Sequence, residues 1–204
     1  MCLTQSHHQT MSSQDNIRKE VSKLRFNIDR SCRYHARRRS FFDLWHRVIM
    51  FLVILLGSAA FSDALSIIGR GGGDSAKVLA FIAALLAALD LVVGFSHRAR
   101  DHALLYMRFM DLAVEIANAV EPSVQELSRW NAKRYTIEKD EPPEYRALNF
   151  ACYNEAVVAR GSSPEACVPL SWWQKLWMHF WRFSGMDGRS VRERRNSAPN
   201  RAQT

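Results

Sequence analysis

Several residue types are scarce in this 204-residue chain, and each scarcity removes a class of protein. Four cysteines are too few for a disulfide-dense secreted scaffold. Nine glycines and six prolines exclude collagen-like and linker-dominated chains. There is no Cys-x-x-Cys, and the seven histidines are scattered. His97 and His102 are five apart and fall on different faces of a helix, so no metal site can be assembled. No local motif joins a nucleophile to a base, so no catalytic residue, cofactor or enzymatic activity is expected. What is present looks ordinary on average: 48% hydrophobic residues, which argue against disorder throughout, and a net charge of +8. The averages describe a basic soluble protein, and the order of the residues contradicts them.

Val48 to Ile68 is a run of 21 residues with one charge, Asp63, and Val78 to Ser96 is a run of 19 with one charge, Asp90. A bilayer core about 30 Å thick takes roughly 20 apolar residues as a helix, so both runs qualify. Twelve Leu, Ile, Val and Phe in the first run contribute about −5 kcal/mol to insertion, against about +3 for one central Asp. Eleven such residues in the second run give the same balance. A helix in a small soluble bundle keeps a polar stripe toward water, and Val48 to Leu56 has none. The first run starts too late, at residue 48, for the apolar part of a cleaved signal peptide.

Charge sets the expected topology. Residues 1–47 carry ten Lys/Arg and four Asp/Glu, with Arg37, Arg38, Arg39 and Arg47 close to the first span. The loop between the spans has two bases, Arg70 and Lys77, and Arg98 and Arg100 follow the second span. Positive flanks stay cytoplasmic, which predicts two spans with both termini inside and a short external loop. The Gly-rich loop 69–77 has no Gly-Lys-Ser/Thr ending and no preceding strand, so it reads as a turn and not as a phosphate cradle.

Outside the spans the pattern is helical. Residues 1–16 have no apolar period and are expected to be disordered. Val21, Leu24, Ile28 and Cys32 recur in steps of three and four, predicting a helix over 17–47. Leu105, Phe109, Leu112, Ile116 and Val120 continue the period after the second span, and Val124, Leu127 and Trp130 carry it on past Pro122. The expected cytoplasmic helix is therefore 97–134, followed by one opened by Pro143 over 143–160.

Residues 171–183 carry four of the six tryptophans. On a helical wheel Trp172, Trp173, Leu176, Trp177, Phe180, Trp181 and Phe183 fill one half, and Gln174, Lys175, Met178, His179 and Arg182 the other. That arc suits a helix lying in the membrane interface, with packing on a bundle as the alternative. Trp45 and the Arg cluster suit the headgroup region. Residues 186–204 read as a basic disordered tail, able to meet anionic lipid.

The polar residues inside the spans are candidates for a pore or a helix interface. Ser58, Ser62 and Ser66 form one stripe, and Ala83, Ala87, Asp90 and Gly94 another; small residues at this spacing let helices approach closely. Asp63 and Asp90 differ in depth by roughly 10 Å at about 1.5 Å per residue, so they are not expected to pair. Asp90 is expected to face a partner or a lumen, while Asp63 has an interfacial alternative beside Arg70 or Lys77.

The order of several segments resembles a known family. Tyr34-His-Ala-Arg-Arg-Arg-Ser-Phe-Phe-Asp-Leu-Trp-His-Arg47 leads into a span with Leu56-Gly57-Ser58. Asp90-Leu-Val-Val-Gly-Phe closes the second span. Ile137-Glu-Lys-Asp-Glu-Pro-Pro-Glu-Tyr-Arg-Ala-Leu148 and Cys152-Tyr-Asn-Glu155 come later, with Tyr153 where a His would be expected. Together they resemble the SLATT family, two-transmembrane effector domains of prokaryotic conflict systems, over about residues 20–185. The resemblance implies a membrane effector in antiviral defence that forms a pore or disrupts the membrane. It further implies a trigger from a separate sensor or nucleotide-generating protein.

The combined expectation is an all-α membrane protein. A two-helix transmembrane hairpin extends into a cytoplasmic helical bundle with a C-terminal amphipathic interfacial helix. Two spans cannot enclose a pore, so a homo-oligomer in contact with membrane lipids is expected. A scaffold or regulator that holds anionic lipid or a partner through its cytoplasmic helices is the alternative. The positive charge sits beside the spans, so nucleic acid is not an expected partner.

Overall fold

A computed structural model describes the backbone of residues 2–67 and 74–197, with side chains for 14–60 and 76–197. Among the described residues every regular element is helical: α1 (Cys2–Ile67), α2 (Asp74–Val93), α3 (Phe95–Ala117), α4 (Val124–Glu138), α5 (Arg146–Ala159), a 3-10 turn (Pro164–Ala166), α6 (Trp172–Trp177) and α7 (Val191–Ser197). Two compact units result, Met1–Ala36 with Leu104–Thr204, and Arg37–Ala103.

Several expected boundaries need correction. The helix begins at Cys2, so it takes in most of the segment expected to be disordered. No Gly or Pro precedes Gly57, so nothing in the chain interrupts it. The second span does not run on unbroken: Gly94 adopts φ +64° between α2 and α3. Only a residue without Cβ takes that conformation cheaply. The expected helix 97–134 is two helices with Pro122 in the connection, and Val120 and Val124 are exposed rather than part of a buried stripe. Pro142 and Pro143 precede α5 instead of opening it; the helix starts at Arg146 after Tyr145 in an extended conformation. Gly161, at φ +70°, follows the end of α5.

In the first unit the core forms on the residues whose spacing announced it. Val21, Leu24, Ile28 and Cys32 of α1 meet Leu105, Phe109, Leu112 and Ile116 of α3 and Trp130 and Ile137 of α4. Arg25 Nη2 donates to the Ile116 carbonyl at 2.7 Å, a second bond beside the one that carbonyl accepts from the Ala119 N–H at the end of α3. Trp130 is fully buried, and its Nε1 donates to Glu115 Oε1 at 3.2 Å, so the indole carries no unmet donor into the core. The Lys133 ammonium also donates to Glu115 and holds its carboxyl below the usual range, with help from Trp130 and Arg129.

A second cluster joins Tyr34, Leu148 and Cys152, with Tyr145 and Met178 packed against it. The Tyr145 N–H donates to Tyr34 Oη at 3.1 Å, fixing the start of α5. His35 is 1% exposed, stacks on Phe109 at 5.6 Å and lies 3.0 Å through Nε2 from Glu141 Oε1. It is a satisfied core histidine, at the edge of a cleft of about 280 Å³ that Arg30, Glu138 and Glu144 also line.

In the second unit α1 and α2 form the hairpin. Phe42, Ile49, Ala83 and Ala99 are buried, and Phe42 meets Phe95 at 6.2 Å and stacks on His102 at 5.7 Å. Both long helices are apolar enough to cross a membrane: one within Gln14–Ala60, the other within Ala76–Ala117.

Candidate membrane-interaction surface

In water an apolar helix is kept by burial, and here burial is missing. Only 11% of the most apolar stretch of the first long helix and 6% of that of the second are covered by protein. Leu44, Phe51, Ile54 and Leu55 on α1 are each more than half exposed, as are Phe81, Leu85, Leu91 and Val92 on α2. Fully burying one such side chain is worth about 1.5–3 kcal/mol. Large apolar side chains left exposed in such number mark a membrane or protein interface.

The polar residues predicted in the spans separate into distinct environments. Asp90 is 16% exposed, and its Oδ1 lies 3.0 Å from His46 Nδ1. Its small-residue neighbours divide: Ala83 is buried, Gly94 half-buried and Ala87 exposed. Ser58 is exposed, and its hydroxyl donates back to the Ile54 carbonyl at 2.8 Å, as a serine on an apolar surface must if its donor is to be met. The side chains of Ser62, Asp63 and Ser66 lie outside the described residues.

The sequence did not single out His46. His46 lies before the expected first span, two residues from its start, so a search for polar groups within the spans passes over it. The break after Asp90 has its own polar closure. The Gly94 N–H donates to the Asp90 carbonyl at 2.8 Å, and Arg98 Nε donates to the Val93 carbonyl at 2.9 Å.

The Arg cluster is not one lipid-facing patch. Arg38 is buried, 3% exposed, with its guanidinium 4.4 Å above the Phe42 ring. Arg37 is half-buried. Arg39, whose Nε is 3.6 Å from Asp43, and Arg47 are exposed, and Trp45 is partly exposed. The spacing of four between Arg38 and Phe42 places the pair on one helix face, which makes this contact readable in retrospect.

The aromatic segment of the first unit is shorter than expected. Instead of a helix over 171–183, α6 stops at Trp177, a turn follows, and Phe183 sits at φ +49°. A non-glycine residue there costs about 1–2 kcal/mol, so the surroundings must hold it. They do: the Arg146 N–H donates to the Arg182 carbonyl at 3.1 Å, and the Arg146 guanidinium donates to the Ser184 carbonyl. Met178 packs against the Tyr34–Leu148–Cys152 cluster. Trp172, Trp173, Leu176, Trp177, Phe180 and Trp181 are left 46–68% exposed, with Trp172 and Trp173 stacked at 4.2 Å. Lys175 and Arg182 lie among them without an acidic residue between 171 and 186.

The tail departs from expectation too. Residues 186–197 are ordered: the Val191 N–H donates to the Cys167 carbonyl at 3.0 Å, and Arg195 pairs with both oxygens of Glu165 at 2.9 and 3.1 Å. Arg189 and Arg194 both engage Asp187. These arginines spend their charge on their own unit. Ser190-Val-Arg-Glu193 carried the signal: the Ser190 N–H donates to Glu193 Oε2 at 2.7 Å, the start of a capped helix.

Among the described residues no group of three or more His, Cys, Asp or Glu side chains is placed to hold a metal ion. No protein-family model, curated protein or solved structure matches the chain.

Proposed function

We propose that this chain is a membrane effector, a two-span protein of a bacterial or archaeal inner membrane that assembles with further copies and permeabilises or disrupts the bilayer. Exposure carries this reading: two helices long and apolar enough to span a membrane leave their apolar faces uncovered. Both termini are assigned to the cytoplasm, on the positive flanks of the spans. The helices of the first unit then form the cytoplasmic bundle. Its exposed tryptophans, with Lys175 and Arg182, rest in the headgroup layer, where an amphipathic ring is better placed than in a core.

The resemblance to SLATT domains supplies the biological setting: a non-enzymatic effector of antiviral defence, released by a sensor or nucleotide-generating partner protein. A pore would take further copies, since two helices enclose no lumen. Inducible expression with a membrane-potential dye tests the reading. Induction to levels at which copies meet by mass action stands in for the trigger, and the expected outcome is depolarisation within minutes, together with retention in membranes washed at alkaline pH. Induction without depolarisation overturns the effector role, and release by the alkaline wash overturns the spans. The exposed aromatic corner alone favours a second reading, a scaffold docked on lipid that conducts nothing. A membrane-embedded chain that leaves the potential unchanged identifies it.

A further inference from the structure

Asp90 and His46 lie in helices whose outward surfaces are apolar, yet the two side chains turn toward each other. Leu89, Leu91 and Val92 beside Asp90 are 47%, 83% and 84% exposed, whereas the Asp90 carboxylate is 16% exposed. On α1 the exposed Leu44, Trp45, Arg47 and Val48 flank His46, whose own side chain is 34% exposed. A carboxylate in such surroundings must find a donor within the protein, because lipid offers none. His46 Nδ1, at 3.0 Å, is that partner. The Asp90 backbone carbonyl at the same position accepts from the Gly94 N–H. The one residue thus joins α1 to α2 through its side chain and leads into the break at Gly94 through its backbone.

We infer that His46 and Asp90 are a latch that keeps the two spans closed as a hairpin, and that Asp90 becomes available to another copy only when the latch opens. This rests on the permeabilising role proposed above and assigns its resting state. With the latch closed, the carboxylate is used within its own chain and lines nothing shared between copies. Opening would leave the Asp90 carboxylate without its donor beside the exposed apolar residues of α2, so the hairpin stays shut until a second copy or water takes over the hydrogen bond. A pore-lining Asp90 and a latching Asp90 make opposite predictions: loss of a lining carboxylate lowers conduction, whereas loss of a latch raises the resting leak.

The test uses the full chain reconstituted into vesicles of zwitterionic and anionic phospholipid loaded with a self-quenched dye. His46→Ala and Asp90→Asn are each expected to raise the resting release rate at least several-fold over wild type. The exchanged pair, His46→Asp with Asp90→His, is expected to return it to the wild-type rate. Circular dichroism on each variant confirms that helicity is retained, and the exchanged pair guards against a merely misfolded single variant. Single variants that leak no more than wild type, or an exchanged pair that leaks as much as they do, overturn the latch. If wild type releases dye at high protein-to-lipid ratio and the single variants release no more, only the latch falls. If no form releases dye at any ratio, the permeabilising reading falls with it.

Discussion

Cys32 and Cys167 show how two residues of one type part company. Cys32 is one step of the stripe Val21, Leu24, Ile28, Cys32 and packs in the core, where burial and then the nearby Asp29 push its thiol up to about 12. Cys167 is only half-buried. The thiolate is the reactive form, so native protein treated with a maleimide at about pH 8 should be labelled at Cys167 and spared at Cys32 until denaturant is added. Peptide mass spectrometry reads both sites, and rapid labelling of Cys32 in the native state would show that the core is misassigned. Glu138 offers a pH-dependent counterpart. Burial raises its carboxyl above the usual 4.5, against the opposing pull of Arg134. Between 4.5 and the raised value the folded state holds a proton that the unfolded state has lost, so this group's contribution to stability falls as pH rises through that window. Glu138→Gln should therefore gain stability relative to wild type as pH goes from about 4 to 7, read as a growing difference in Tm in detergent. A difference independent of pH would remove the burial argument.

At the scale of elements, the helix starts were written locally. Ser123-Val-Gln-Glu126 and Ser171-Trp-Trp-Gln174 form complete capping boxes, and Ser190-Val-Arg-Glu193 bonds in the same pattern. In each, a serine oxygen meets a free helix N–H while the acid or amide three residues on meets the serine's own. Ser123→Ala should cost about 1 kcal/mol and fray the first turn of α4, measured as faster hydrogen exchange at residues 124–127. Exchange unchanged there would show that packing by Trp130 alone sets the start. The helix stops were less local. Gly94 sits inside an apolar run that reads as uninterrupted helix, and nothing adjacent marks it as a break. A Cβ at Gly94 would meet only His97 Cβ, at 3.9 Å, so the left-handed backbone, not crowding, is what requires glycine.

For the whole molecule, the net charge of +8 is unevenly held: +6 over residues 1–47, −1 over 48–96, −1 over 97–181 and +4 over 182–204. Part of that surplus is consumed internally, since Arg189, Arg194 and Arg195 pair with Asp187 and Glu165. In the proposed membrane role, lipid contact of the first unit would therefore fall mainly to the aromatic corner. In vesicles whose lipids carry bromine near the headgroup, tryptophan fluorescence should be strongly quenched. Replacing Trp172, Trp173, Trp177 and Trp181 with Ala should leave only the quenching due to Trp45, because Trp130 is sealed in the core. Quenching that survives the four replacements in full would place the corner away from the bilayer.

By itself the sequence determined the helical class, the two apolar runs and the phase of the buried stripes on α1 and α3. These depend on composition and on residues three or four apart, which adjacent chain alone fixes. Only the tertiary structure decided that Asp90 meets His46 and that the tail folds against Glu165. It also decided that Met178, from the polar half of the aromatic segment, is the side packed on α5, leaving the tryptophans outside. Each of these depends on how segments far apart in the chain meet: an early end to α6, for one, changes which side chains stand opposite one another. No local pattern encodes that register, because the energy that sets it comes from contacts between segments far apart in the chain.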